Sequence, residues 1–156
     1  MTPAIDLVRR QGIEHRVHRY RHDEQAESWG LEAAQKLGLS AGQVFKTLVV
    51  QSESGRLAVG LVPVDARLDL KKMARALGVK KLAMADAGLV QRSTGYVLGG
   101  VSPLGQKKRL ETVIDASAEA LQTLFVSAGR RGLEIELAPA DLQRLTGARL
   151  ADIRQS

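Results

Sequence analysis

The chain has no cysteine, and only two Phe, two Tyr and one Trp among its 156 residues. Without cysteine there is no disulfide framework, no thiolate metal site and no thiol nucleophile in the protein itself. With aromatics at 3%, the core has to be built from Val, Leu, Ile and Ala. No apolar run is long enough to cross a bilayer, and the opening MTPAIDLVRR lacks the apolar centre of a secretion signal. A cytoplasmic location and no membrane partner are therefore expected. Repeats, linkers and low-complexity tracts are also missing, so residues 1–156 are expected to form one domain around one core.

Basic residues, by contrast, are concentrated. The net charge is +6, yet residues 65–109 alone carry ten Lys/Arg against Asp65, Asp69 and Asp86. That local surplus exceeds the charge of the whole chain. A clustered positive field suits a polyanionic partner, and equally suits a solvated lysine-rich face.

Periodicity and punctuation predict many short elements. Thr2 before Pro3 opens a helix that Gly12 ends. Residues 14–20 alternate as a strand, and Ser28 caps a helix closed by Gly38. Segments 47–51 and 57–63 read as a hairpin joined by Ser-Glu-Ser-Gly. Asp69 caps a helix with an apolar stripe of Leu70, Met73, Ala74 and Leu77, ended by Gly78. A short strand at 81–84 precedes a helix from Asp86 to Gly95. An extended piece at 96–98 enters a Gly/Pro loop at 99–106. Strands are expected at 111–115, 123–127 and 133–137, then a helix from Pro139 to Gly147 and an edge strand at 148–153. The expected class is α+β, with a mixed, curved sheet surrounded by short helices.

Familiar chemical motifs fail on inspection. His15, His18 and His22 lie close in sequence, but His15 and His18 point to opposite sides of a strand and no HExxH helix is present. Gly100–Gly105 imitates a phosphate loop, but Gln106 displaces the lysine, no Ser/Thr follows Lys107, and Pro103 removes an N–H. No Ser sits in a G-x-S-x-G elbow.

Three stretches are more specific: Val44–Phe45–Lys46–Thr47, the run QRSTGYVLGGVSPLGQKKR at 91–109, and FVSAGRRGLEIEL at 125–137. With MTPA at the start and LDLKKMARALG at 68–78, the chain resembles the YbaK family of free-standing editing proteins, related to the editing domain of bacterial prolyl-tRNA synthetases. The resemblance spans essentially the whole chain. It implies a mixed β-sheet partly closed into a barrel with helices around it. The implied activity is deacylation of cysteine from the proline tRNA, without a metal or other cofactor, beside prolyl-tRNA synthetase. The oligomeric state is not legible.

The same resemblance implies the site. Lys46 matches the family's key lysine, and a lysine there can hold a phosphate or the terminal ribose as a point charge. Gly99–Gly100–Val101–Ser102–Pro103 matches a G-x-x-x-P loop, with Gly100 expected to offer a free N–H to an oxyanion and Gly99 to shape the turn. Ser127 is expected to position the acceptor end with Lys46. Tyr20, Trp29, Thr47, Ser102, Pro103 and Glu134 are expected to bind substrate. Trp29 and Glu134 stand where the family usually has Phe and Asp, which adds bulk. Lys71, Lys72, Lys107, Lys108, Arg109 and Arg130 are expected to meet tRNA phosphates. The implied mechanism uses the substrate's own thiol, which attacks its ester carbonyl and leaves as a thiolactone. Two alternatives stay open: an editing protein for another small amino acid, or a non-catalytic tRNA- or synthetase-binding module.

Overall fold

Helix ends in this chain are set by side chains that accept otherwise unpaired N–H groups, and most fall where the sequence puts them. The computed structural model describes residues 1–26 and 28–156. Thr2 caps α1 (Pro3–Arg10), accepting the Ile5 N–H at 3.2 Å, and Ser28 caps α2 (Trp29–Lys36), accepting from Leu31 at 3.3 Å. Asp69 accepts two N–H groups at 3.0 Å at the head of α3 (Leu70–Leu77), and Asp86 caps α4 (Ala87–Thr94). Gly78 ends α3 in the left-handed conformation, where a Cβ would be strained. Helix α5 (Pro139–Thr146) has proline in its first turn in place of a side-chain cap.

The strands are β1 (His15–Arg19), β2 (Phe45–Ser52), β3 (Leu57–Pro63), β4 (Leu82–Met84), β5 (Glu111–Asp115), β6 (Leu124–Arg130), β7 (Leu133–Leu137) and β8 (Arg149–Ala151). They form two sheets, β1-β7-β6 and β4-β2-β3-β5-β8. The first is antiparallel. In the second, β2 and β3 make the expected hairpin, while β3-β5 and β5-β8 are parallel. An isolated parallel bridge between Val44 and Phe125 joins the sheets. The α+β class and the mixed strand directions thus agree with the sequence. The mixed, curved sheet is divided into two sheets that meet at a seam, and the described residues form no closed barrel.

Packing follows the two-residue period of strands. On β7, Leu133, Ile135 and Leu137 enter the main core with Ile5, Val8, Leu61, Leu124 and Val126. A second cluster packs Met73, Ala74 and Leu77 of α3 against Val50, Ala58, Val62 and Val113. A third, Ala33, Ala34, Val44, Val64 and Phe125, seats α2 over the seam. Burying each such side chain stabilises the fold by about 1.5–3 kcal/mol.

Some boundaries moved. Strand β6 continues past 127 through a bulge between Ser127 and Arg130, where Gly129 takes φ +112°. A Cβ there would lie 2.7 Å from the Tyr96 ring, so the close approach requires glycine. The expected extended piece at 96–98 gives way to a turn at 98–99. The last edge strand shortens to three residues, after which buried Ile153 plugs the second core cluster.

Candidate active site

Where the two sheets meet, their side chains cannot fill the seam, and a cavity of about 350 Å³ remains. That is at the small end of the range for ligand sites, about 300–1,000 Å³. Strand β2 contributes Lys46, Thr47 and Leu48, β6 contributes Ser127 and β7 contributes Glu134. Tyr20 enters from the end of β1, Trp29 and Gly30 from the start of α2, and Leu98, Gly99 and Val101 from the loop after α4.

The β-register explains the grouping. Ser127 and Glu134 are direct partners across β6 and β7, so both leave the sheet on one side. The Tyr20 N–H donates to the Gly132 carbonyl at 3.0 Å, which fixes the tyrosine beside them. Helix α2 can approach because Gly30 has no side chain. A Cβ at that position would come within 2.9 Å of Val64 Cβ and closer still to its Cγ1.

Among the described lining residues, Lys46 is the one cation and Glu134 the one acid. Burial, with Arg67 adding to it and Asp65 opposing, holds the Lys46 ammonium below its ordinary pKa. Glu134 is 6% exposed, and burial pushes its carboxyl from 4.5 up to about 8. It is therefore mostly neutral at pH 7 and can donate a hydrogen bond. Tyr20 is pushed up to about 12 by burial and by Glu134, with a hydrogen bond at Gly132 opposing, so it stays a neutral phenol. Thr47 Oγ1 is buried with no hydrogen-bond partner among the described residues. Ser127 Oγ accepts the Gly129 N–H at 3.1 Å and keeps its own proton to donate.

Six of the expected positions therefore converge with Lys46 on one cavity: Tyr20, Trp29, Thr47, Gly99, Ser127 and Glu134. Three others do not line it. Gly100 is packed on Arg130, whose Cα would lie 2.7 Å from a Gly100 Cβ, and its N–H is already spent on the Val97 carbonyl at 3.0 Å. The expectation of a free Gly100 N–H is corrected on that ground. The neighbouring Gly99 and Val101 line the cavity, and neither N–H has a partner among the described residues. Ser102 is fully buried; its Oγ accepts the Leu104 N–H at 3.2 Å and its carbonyl accepts from Gln106, so it braces the loop. Pro103 is buried beside it.

The expected phosphate contacts scatter. Lys72 is engaged with Asp152, the Arg154 carbonyl and Ser156, tying α3 to the C-terminal segment, which corrects its assignment as a free tRNA contact. Lys71 is exposed on α3, which lines no part of the cavity. Lys107, Lys108 and Arg109 are exposed beyond the loop, and Arg109 lies against Gly147 at the end of α5. Arg130 is exposed close to the cavity mouth.

The histidines separate. His15 meets the Ile13 carbonyl, His18 meets Glu136 at 2.9 Å, and His22 meets Glu32 at 2.7 Å. None lines the cavity. Burial alone would raise the Glu32 carboxyl, but hydrogen bonds from the Asp23 N–H, His22 and Lys36 outweigh it and hold the group below its ordinary value. Among the described residues, no three metal-binding side chains cluster. No described helix is long and apolar enough to cross a membrane.

The sequence model of the aminoacyl-tRNA editing domain matches residues 23–145, which include most of the cavity lining. The chain belongs to the aminoacyl-tRNA editing domain family. One editing-domain relative, from Enterococcus faecalis, is provisionally named Cys-tRNA(Pro)/Cys-tRNA(Cys) deacylase EbsC. The two are 36% identical over 97% of this chain and 92% of that protein. A proline–tRNA ligase of Trichlorobacter lovleyi is 32% identical over 62% of this chain, but over only 17% of the ligase. Among solved structures, one provisionally described as a trans-editing enzyme for prolyl-tRNA synthetase superposes with TM-score 0.81 at 30% identity, covering 91% of this chain and 87% of that one. The editing domain here is thus similar both to free-standing proteins and to a segment of the synthetase.

Residues missed by sequence reasoning include Gly30 and Arg131. Arg131 lies with its guanidinium carbon 4.1 Å from the Trp29 ring centroid and donates to the Leu98 carbonyl at 3.2 Å. Nothing in the local pattern of 130–131 distinguishes it from its neighbour.

Proposed function

We propose that this protein removes cysteine from mischarged proline tRNA, acting in trans beside prolyl-tRNA synthetase, and that the substrate's own thiol is the nucleophile. The carrying observation is a small cavity whose described lining residues include one ammonium group and no activated nucleophile. Ser127 hydrogen-bonds to no imidazole or carboxylate among the described residues, and Glu134, mostly protonated at pH 7, is poorly suited to pull a proton from water.

The protein then contributes placement and charge, which can supply much of a rate enhancement when reacting atoms are held close. Lys46 favours the thiolate and the oxyanion that follows from its attack. The Gly99 and Val101 N–H groups, in place of that of Gly100, are the backbone donors available to that oxyanion. Ser127, Thr47 and neutral Glu134 hold the ester and the terminal ribose. In the step itself a sulfur–carbon bond forms, the carbon–oxygen ester bond breaks, and the thiol proton ends on the departing ribose hydroxyl. The cyclic thioester hydrolyses afterwards. Lys107, Lys108, Arg109, Arg130 and Lys71 supply sequence-independent attraction to phosphates.

The test is deacylation of cysteinyl- and serinyl-tRNA for proline side by side. Cysteine is expected to be released much faster than serine, because a hydroxyl is the weaker nucleophile. Equal rates would mean that water attacks. Failure to release either, with release of a different small amino acid from a mischarged panel, would move the target while keeping the site.

A further inference from the structure

A second cavity, about 630 Å³, adjoins the first and shares Leu98 with it. It is bounded by Gly88 and Gln91 of α4, by Val97 and Leu98, and by Arg130 and Arg131. Its character differs from that of the first. No acid is among its described lining residues, and neither arginine is paired with a carboxylate among the described residues. Arg92 lies close by, its guanidinium 3.0 Å from where a Gly88 Cβ would be. The nearby acid, Asp86, is occupied in capping α4 through the Leu89 N–H at 2.8 Å. Val97 and Leu98 are 55% and 45% exposed, an apolar floor beside a cationic wall.

Arg131 stands on the boundary between the two spaces. Its guanidinium stacks on Trp29, which lines the first cavity, and donates to Leu98, which lines both. Gly99 permits this contact, since a Cβ there would lie 2.8 Å from Arg131 Nη2 and closer to its Nε. A polymer whose terminal unit fills the first cavity and whose preceding unit lies in the second crosses Leu98, past this guanidinium.

We propose that the second cavity is the subsite for the nucleotide that precedes the esterified one. Arg130 and Arg131 hold the connecting phosphodiester, Val97 and Leu98 take the face of the nucleobase, and the Gln91 amide reaches its edge. A nucleotide supplies the two features that this surface complements, an anion and a flat apolar face. The inference rests on the reading that the first cavity takes the esterified terminal nucleoside.

The experiment compares binding of adenosine and of the dinucleotide cytidylyl-(3′→5′)-adenosine, followed by fluorescence of Trp29, the single tryptophan of the chain. Wild-type protein is expected to bind the dinucleotide at least about fivefold more tightly than the nucleoside. Val97→Glu and Gln91→Glu, which put a carboxylate into the second cavity, are expected to abolish that advantage. Gln91 is exposed on α4, so its variant also guards against loss of folding. Equal or undetectable binding of the two probes by wild type, or an advantage that survives both substitutions, overturns the subsite. An intact advantage in a protein that deacylates no mischarged tRNA overturns the deacylase reading instead.

Discussion

Ser127 on β6 and Glu134 on β7 face each other across the sheet, and both side chains enter one cavity. The pairing puts a hydroxyl beside a carboxyl that burial keeps protonated up to about pH 8. Deacylation is therefore expected to fall as pH rises through 8, when a negative charge appears beside the developing oxyanion. Glu134→Gln, a permanent mimic of the neutral acid, is expected to retain activity at pH 7 and to lose this alkaline fall. Rate profiles of the two proteins between about pH 6 and 9.5, a span that brackets the raised carboxyl, check it; identical profiles would remove Glu134 from the reaction.

The same group links pH to stability. Its pKa is about 8 in the folded chain against 4.5 ordinarily, so between these values the folded state holds a proton that the unfolded state has lost. Stability from the neutral carboxyl is complete below about 4.5, declines as pH rises towards 8, and is flat above. Melting temperatures of wild type and Glu134→Gln are expected to diverge across that interval, with the variant higher at pH 8.

Lys46→Ala is expected to lower kcat/KM for cysteinyl-tRNA by about 10²–10³, the usual cost of removing one electrostatic partner of an oxyanion. The fold should survive, because removing a half-buried ammonium relieves its desolvation. Circular dichroism with single-turnover kinetics separates the two effects. A folded variant with full activity would leave the charge argument without support.

Gly30→Ala tests the seating of α2. Its Cβ would collide with Val64, costing about 1–3 kcal/mol and pushing Trp29 away from the cavity. Adding Val64→Ala is expected to restore both stability and rate, which denaturant melts and kinetics on the double variant would reveal.

Charge on the surface divides by function. Lys72→Met is expected to lower stability by less than about 1 kcal/mol while leaving KM for tRNA unchanged, since its ammonium is committed to the C-terminal segment. Replacing Lys107 and Lys108 together is expected to raise KM and to flatten its dependence on salt, by about one unit of slope for each phosphate no longer neutralised. A steeper salt response in the double variant would contradict their role.

Local chemistry made the fold largely legible. Thr2, Ser28, Asp69 and Asp86 each cap the expected helix, and β7 alternates as its sequence does. What could not be read is set by approach between distant segments. The seam depends on a bridge between Val44 and Phe125, far apart along the chain and with no local signature. For the same reason the sequence presents the Gly100 N–H as a free donor. The Gly100 N–H is consumed by a turn onto Val97, and Ser102 faces inward to hold Leu104. Lys72 reads as available in the sequence because its partners, Asp152 and Ser156, lie at the other end of the chain. The cavity residues themselves, from Tyr20 to Glu134, were recoverable only by resemblance, since spacing alone brings none of them together.

The serine in the cavity has no base to sharpen it among the described residues, while the lysine there is partly stripped of water, which holds its ammonium below the ordinary pKa. Phosphonylating agents that label hydrolases through an activated hydroxyl thus have no foothold. Aldehydes and activated esters, which seek an amine, meet at the centre of the site an ammonium that gives up its proton more readily than one on the surface. Covalent probes for this protein belong to amine chemistry.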